Sequence, residues 1–351
     1  MSKGKSLTRN KYKVLDLFSG CGGLSYGFEL AGFDIVAGID CWEDALMTFQ
    51  KNHPNSKVVL ADLFVDSPQK ITKKINTKID IIIGGPPCQG FSIAGKRIID
   101  DARNQLYKSF VSFVKYYQPK VFLLENVPNI VSMGKGVAKD SIIEDFEKLG
   151  YTVVYKVLLA SDYGVPQNRK RAIFVGMKNN KKFIFPERRI DIPVSAKDAI
   201  SDLSEKSMAD GSVYTNEPKS KYQKMIRKNS KGIYNHEITL HSEQTRNIIS
   251  LVPDGGNYKD LPEEFRKTRN VNIAWTRLNS KKPSFTIDTG HRHHFHYKFN
   301  RVPTVRESAR IQSFPDTFIF LGSKTSQYKQ VGNAVPPILA NELANEIKKY
   351  L

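Results

Sequence analysis

The run Val14-Leu-Asp-Leu-Phe18 passes straight into Ser19-Gly20-Cys21-Gly22-Gly23 and then into a helical pattern over Leu24–Ala31. This strand–glycine–helix unit constrains the fold more than any other feature, because its rhythm recurs. β-rich runs follow at Asp34–Ile39, Val58–Leu60, Ile79–Ile83, Val121–Leu124, Thr152–Leu159 and Ala172–Gly176. Helical patterns lie among them at Glu43–Asn52, Gln105–Tyr117 and Ser141–Leu149. The alternation predicts an α/β architecture, a mostly parallel sheet with helices on both faces. Gly32 and Gly150 stand just past two of the helices, where a left-handed cap is needed.

Past about Met177 the rhythm stops. Residues 179–310 carry 25 Lys and Arg against 15 Asp and Glu, and aromatics stud the stretch from Tyr214 to Phe299. It reads as a second, smaller, irregular and basic domain over residues 191–327, with residues 1–190 and 328–351 forming the sheet domain. The chain closes on Pro336–Leu351, where Leu339, Leu343 and Ile347 recur along one amphipathic helix. Overall, 54 Lys and Arg face 35 Asp and Glu, a formal net charge of +19. Such an excess speaks of partners rather than fold: nucleic acid is the first polyanion to consider, against a merely solubilising surface. No apolar run approaches the roughly 20 residues of a membrane helix. Met1–Lys13 lacks the apolar stretch of a secretory signal. Three cysteines, Cys21, Cys41 and Cys88, are too few and too scattered for a disulfide framework or a Cys-x-x-Cys zinc site. A cytoplasmic protein is expected.

A strand that turns through glycines into a helix presents backbone N–H groups at the carboxyl edge of a sheet, where α/β folds bind cofactors. The dinucleotide fingerprint is incomplete, since Ser25 occupies its third glycine position. Asp40 ends the second strand, where an acid can take both ribose hydroxyls. Asp62, just after Val58–Leu60, could accept from an adenine amino group. A nucleoside cofactor without a pyrophosphate signature is indicated, against a reading of Asp40 as a solvated strand-end carboxylate.

Further along, Ile79–Ile83 ends in Gly84-Gly85-Pro86-Pro87-Cys88-Gln89-Gly90-Phe91-Ser92. Two glycines and two prolines make a rigid, irregular loop around Cys88. A lone cysteine is more often a small buried hydrophobe. Here its setting favours a nucleophile, with Lys96, Arg97 and Arg103 available to promote the thiolate. Glu125-Asn126-Val127-Pro128 caps the Val121–Leu124 run, placing an acid at the same carboxyl edge. In Gln167-Asn-Arg169-Lys-Arg171 the two arginines share a face if the strand begins there. Paired guanidiniums can hold a base carbonyl, a carboxylate or a phosphate. His291, His293, His294 and His296 could in principle ligate zinc, but with no cysteine nearby a DNA-facing basic and aromatic loop is the better reading.

These stretches, together with Arg306-Glu-Ser-Ala-Arg-Ile-Gln-Ser-Phe-Pro315 and Gln330-Val-Gly-Asn-Ala-Val-Pro336, stand in the order found in DNA (cytosine-5) methyltransferases. The chain resembles that family over nearly its whole length except the middle of the basic segment. The resemblance implies a Rossmann-like class I methyltransferase sheet joined through a hinge to a target-recognition domain. It implies S-adenosyl-L-methionine held by Phe18, Gly20, Gly23, Asp40, Cys41, Asp62, Leu63, Pro87 and Asn333, with Asp40 on the ribose and Asp62 and Leu63 at the adenine. It places a cytosine among Pro87, Cys88, Glu125, Asn126, Arg169 and Arg171, with Arg171 meeting the base carbonyl. Gln89, Ser92 and Thr286 match DNA-contacting positions. No metal is required.

The chemistry this implies can be followed. Carbon 5 of cytosine is a poor nucleophile, so a Cys88 thiolate would add to carbon 6 and push electrons into the ring. Glu125 would relieve the charge at ring N3 with a proton or strong hydrogen bond. Carbon 5 would then take the methyl, and loss of its proton would release Cys88. A stacked duplex offers no room for this, so the cytosine must flip out. The partner would be double-stranded DNA and not a membrane. The protein would act as a monomer of restriction–modification type, with its endonuclease a genetic rather than a physical partner. Rival readings are a tRNA-directed relative, a catalytically inert DNA-binding relative and an NAD-linked oxidoreductase.

Overall fold

A computed structural model describes residues 11–87, 105–266, 275–288 and 294–351. Seven strands form one sheet: β1 (Lys13–Leu17), β2 (Asp34–Asp40), β3 (Lys57–Leu60), β4 (Ile81–Gly84), β5 (Val121–Asn126), β6 (Thr152–Leu159) and β7 (Lys170–Met177). Their order is β3-β2-β1-β4-β5-β7-β6, and the first five are mutually parallel. β7 runs antiparallel to both β5 and β6. The expectation of a mostly parallel sheet holds, and the reversed strand is what alternation alone does not reveal.

Successive side chains on a strand face opposite ways, and the apolar strands here bury both. Val14, Ile35, Ile81, Ile83, Leu123 and Val175 pack into one core with α1 (Gly23–Leu30) and α12 (Pro337–Lys348). Leu15, Leu17, Ile39, Ile82, Phe122, Leu124 and Phe174 pack into the other. There they meet α3 (Pro68–Ile75), α4 (Gln105–Tyr117) and α5 (Val137–Glu147). α2 (Glu43–Asn52) contributes Phe49 to the first core. Gly32 and Gly150 take left-handed φ of 91° and 80°, as their positions past the helices require.

Several boundaries differ from the sequence reading. The polar, lysine-rich α3 was not anticipated. It forms because Ser67 caps it, Pro68 starts it, and Ile71 and Ile75 fall on one buried face. α5 begins at Val137 rather than Ser141. Glu125 and Asn126 do not cap β5 but belong to it, held by pairing to Ile173 and Ala172 of β7.

Beyond β7 the elements shorten to α6 (Ala196–Ile200), α7 (Lys221–Ile226), α8 (Glu243–Ser250), α9 (Glu263–Arg266) and the two-residue strands β8 (Thr276–Arg277) and β9 (His294–Phe295). Two further helices, α10 (Val305–Ile311) and α11 (Lys324–Asn333), precede α12. α10 is buried along its whole length, which masks the periodicity of an amphipathic helix. Its Arg310 reaches Asp202 at 2.5 Å and Asp316 at 2.7 and 2.9 Å, stapling α10 to the end of α6. The following turn lies on α2: the N–H groups of Ile319 and Leu321 donate to Asn52 Oδ1 and Thr48 Oγ1, both at 2.9 Å. Among the described residues no helix is long and apolar enough to cross a membrane.

Candidate active site

At the carboxyl edge of the parallel strands the chain leaves β1 through two residues of left-handed backbone, Phe18 with φ 57° and Gly20 with φ 52°. Phe18, placed by sequence at the end of the strand, lies just beyond it. A non-glycine residue is rarely held in this region without the surroundings enforcing it. Here Ser19 N–H donates to Ile39 O at 3.0 Å and Gly22 N–H to Ser19 O at 3.0 Å, which pins the turn. A Cβ on Gly23 would stand 2.6 Å from Val335 O, so the turn is pressed against the segment before α12. One on Gly20 would meet nothing within 4 Å. Gly20 therefore opens onto free space.

Asp40 frames that space. Its Oδ2 accepts from Gly20 N–H at 2.8 Å and its Oδ1 from Trp42 N–H at 2.9 Å. Each oxygen keeps lone-pair capacity for a hydroxyl donor. Burial raises its pKa, and the three backbone donors around it pull the other way. Asp62, exposed, accepts from Phe64 N–H at 2.9 Å. Cys41 is exposed between these acids; partial burial and the charges of Asp40 and Asp62 raise its pKa. Leu63 is 4% exposed, its side chain in the second core rather than the open space. Beneath the turn, Asp16 is buried; its Oδ2 accepts from Ser25 Oγ at 2.6 Å and its Oδ1 has no partner among the described residues. Burial pushes its pKa up to about 8, Ser25 opposing and the Asp40 charge adding to the rise. Cys21 is buried as well, its thiol pushed up to about 12, so it is no nucleophile.

A second group of side chains gathers at the ends of β4, β5 and β7. Asn126 donates from Nδ2 to Pro86 O at 3.0 Å, and its Oδ1 accepts from Val127 N–H at 2.9 Å. A Cβ on Gly85 would lie 2.7 Å from Glu125 Oε2, so the loop passes close enough that any side chain there would have to displace the carboxylate. Glu125 Oε1 in turn pairs with Arg171 Nε at 2.7 Å. Pro87 is exposed on the same edge, and Cys88, Gln89 and Ser92 follow it outside the described residues, as do Lys96, Arg97 and Arg103.

Among the described residues the two arginines have different partners. Arg169 precedes β7, is fully buried, and donates from Nη2 to Gly332 O at 2.8 Å, while its Nε and Nη1 have no partner among the described residues. Burial, with Arg171 adding to it, pulls its pKa down to about 9. Asn333, exposed at the end of α11, is the next residue after Gly332, so the segment before α12 returns to the glycine turn.

Thr286, exposed, donates to Asn168 O at 3.1 Å, placing it beside the lead into β7. The DNA-facing reading of the histidine stretch fails at His296. His291 and His293 lie outside the described residues, and the His294 ring is tilted 31° to Phe285 with centroids 5.5 Å apart. His296 faces no DNA: it is buried, stacked on Tyr297 and Phe299, and its Nδ1 accepts from the N–H groups of Lys298 and Phe299 at 3.0 and 3.1 Å. Burial pulls its pKa down to about 4. Gln167 and Gln312, both fully buried, and Asp16 were not singled out from sequence. Their only signal is that each polar residue interrupts or adjoins an apolar run.

A sheet of this order with its penultimate strand reversed, a glycine turn and an acidic strand end define a class I methyltransferase fold. The profile of the C-5 cytosine-specific DNA methylases matches residues 12–349, and the chain belongs to that family. It is 41% identical to the type II methyltransferase M1.HphI of Haemophilus parahaemolyticus, over 95% of this chain and 86% of that one. It is 39% identical to M.DdeI of Desulfomicrobium norvegicum, over 96% and 88%. A crystal structure described as a prophage-encoded DNA modification methyltransferase of E. coli superposes with a TM-score of 0.81 at 30% identity, over 97% and 99% of the two chains. Spodoptera frugiperda DNMT2 shares the fold, with a TM-score of 0.65 at 18% identity over 96% and 100%.

Proposed function

We propose that this enzyme transfers a methyl group from S-adenosylmethionine to carbon 5 of a flipped-out cytosine within a short duplex DNA sequence, as the modification partner of a restriction system. The observation that carries the reading is the meeting of two clusters at one sheet edge: the open Gly20–Asp40 cradle, and the Pro86–Asn126 and Glu125–Arg171 contacts from which Pro87 leads to Cys88. An acidic strand end suits ribose hydroxyls in either cofactor; this nucleoside is favoured over a nicotinamide dinucleotide because Ser25 breaks the glycine fingerprint and Gly20 N–H is committed to Asp40 rather than open to a pyrophosphate. Phe18, Gly20, Gly23, Asp40, Cys41, Asp62, Pro87 and Asn333 would hold the cofactor, Leu63 only through its backbone because its side chain lies in the core, and the cofactor's sulfonium supplies an electrophilic methyl.

On the protein side, the Cys88 thiolate adds to carbon 6 of the base; once carbon 5 is methylated, a water acting as base takes its proton, the carbon 5–carbon 6 double bond reforms and the thiolate leaves. Glu125, in its protonated form, would donate from its other oxygen to ring N3 and recover the proton when the adduct collapses, while Arg171, fixed beside it, donates to the adjacent carbonyl. Asn126 holds the Pro86 carbonyl and so sets the path of the loop into Cys88. Residues 191–327 would form the target-recognition domain, with Gln89, Ser92 and Thr286 on the DNA and its basic side chains on phosphates. The relatives at 41% and 39% identity are type II methyltransferases, and duplex DNA is preferred over tRNA for that reason.

Cys88→Ala should abolish methyl transfer to duplex DNA while leaving DNA binding measurable. DNA carrying 5-fluorocytosine at the target should trap the parent enzyme covalently and the variant not at all. Turnover by the variant, or transfer to tRNA alone, would refute the proposal.

A further inference from the structure

Between the DNA-facing and cofactor-facing segments runs a line of buried amides that the mechanism above does not use. The lead into β7 is zipped to the segment after β8: Ser284 N–H donates to Pro166 O at 2.9 Å, Asn168 N–H to Ser284 O at 2.8 Å, and Thr286 Oγ1 to Asn168 O at 3.1 Å. In the middle of this zipper Gln167 turns inward. Its Oε1 accepts from Ile287 N–H at 2.9 Å and its Nε2 donates to Gln312 Oε1. Gln312, capping α10, donates from its Nε2 to Ala334 O at 2.5 Å. Ala334 follows Asn333, and its neighbour Val335 is the residue pressed against Gly23. Arg169, two residues past Gln167, holds Gly332 O at 2.8 Å in the same turn.

Both glutamines are fully buried, so no water can substitute for either contact. The ends of the line fix how each amide faces: a backbone N–H must meet Gln167 Oε1, and a carbonyl must meet Gln312 Nε2. The donors therefore all point one way, from Ile287 to Ala334, an arrangement in which each bond polarises the next. A displacement of residues 284–287 would be passed to the turn that carries Asn333, because neither amide can flip without leaving buried groups unpaired.

We infer that Gln167 and Gln312 are positioning residues that couple DNA binding to cofactor binding through this two-amide relay. The inference rests on the assignment of the two sites made above. The relay touches neither ligand; it sets the position of the turn that does.

The test is a linkage measurement on the full-length protein. The probes are S-adenosylhomocysteine and a duplex containing the target site that bisulfite sequencing identifies. The dissociation constant of the duplex is measured with and without saturating S-adenosylhomocysteine, and the reciprocal pair as well. The parent should show a coupling of roughly tenfold, equal in both directions. Gln167→Glu and Gln312→Glu are isosteric but set an oxygen where a donor is needed. Each should lower the coupling to about twofold or less while each separate affinity changes by less than about threefold. Should either fail to fold, the double variant Gln167→Met/Gln312→Leu removes both amides with similar volume and makes the same prediction. Unchanged coupling in folded variants, or none in the parent, overturns the relay and leaves the proposed function standing. A parent that binds neither probe overturns the proposed function and the relay with it.

Discussion

Asp16 offers a sharp test of how this site is built, because its carboxyl is buried with one oxygen unpartnered among the described residues and its pKa is raised from 3.8 to about 8. Below about pH 4 the group is protonated whether the chain is folded or not. As pH rises towards 8 the unfolded chain releases the proton and the folded chain keeps it, so stability is lost across that window. The loss ends once the folded carboxyl also ionises. Roughly 4 pH units at about 1.36 kcal/mol each give a decline on the order of 5 kcal/mol from this residue. Asp16→Asn removes the titration. Its amide oxygen can still accept from Ser25, but its NH2 group is left unpaired, at a cost of about 1–3 kcal/mol at every pH. The variant should thus be the less stable protein near pH 4 and the more stable one by pH 8. Urea denaturation followed by far-ultraviolet circular dichroism at unit steps of pH measures the crossing. A difference between the two proteins that stays constant from pH 4 to 8 would show that burial does not hold the proton on Asp16.

Two further substitutions probe the site and its support. Arg171→Lys keeps the charge but replaces a guanidinium that bonds both Glu125 and Lys170 O, at 2.7 Å each, with a single point donor. Steady-state methylation should show kcat lowered by about 100-fold with DNA affinity little changed, and a kcat within threefold of the parent would remove Arg171 from the base pocket. In Gly27→Ala the new methyl would stand 2.3 Å from Ala340 Cβ and 2.6 Å from Asn341 N. Because α1 and α12 meet there through backbone, the overpacking should cost about 1–3 kcal/mol and lower Tm by several degrees in a calorimetric scan, and an unshifted Tm would contradict that packing.

Much of the catalytic domain can be read directly from residue order. The Val14–Phe18 run, the glycines after it and the helical period at Glu43–Asn52 are local patterns, and the structure returns them with small shifts of boundary. Where the reading fell short, the cause was burial of polar or charged residues. α10 is enclosed on every side, so Arg306 and Arg310 hide the apolar stripe that would mark a helix. His296 belongs to a basic, histidine-rich stretch that looks solvent-facing. Tertiary packing instead seals it between two aromatic rings.

Residue types and spacing alone determined the inventory of this protein: an acid at the end of each of three strands, a proline-framed cysteine, a pair of arginines and the order in which they come. Only the tertiary structure decided who meets whom. β7 is reversed, so the arginines at its start arrive at the carboxyl ends of the parallel strands, and Arg171 reaches Glu125. Gln167 finds Gln312 across 145 residues of chain. Periodicity reports the face a side chain takes on its own element. Partners so distant along the chain are selected when packed elements exclude water and every buried polar group must find a mate.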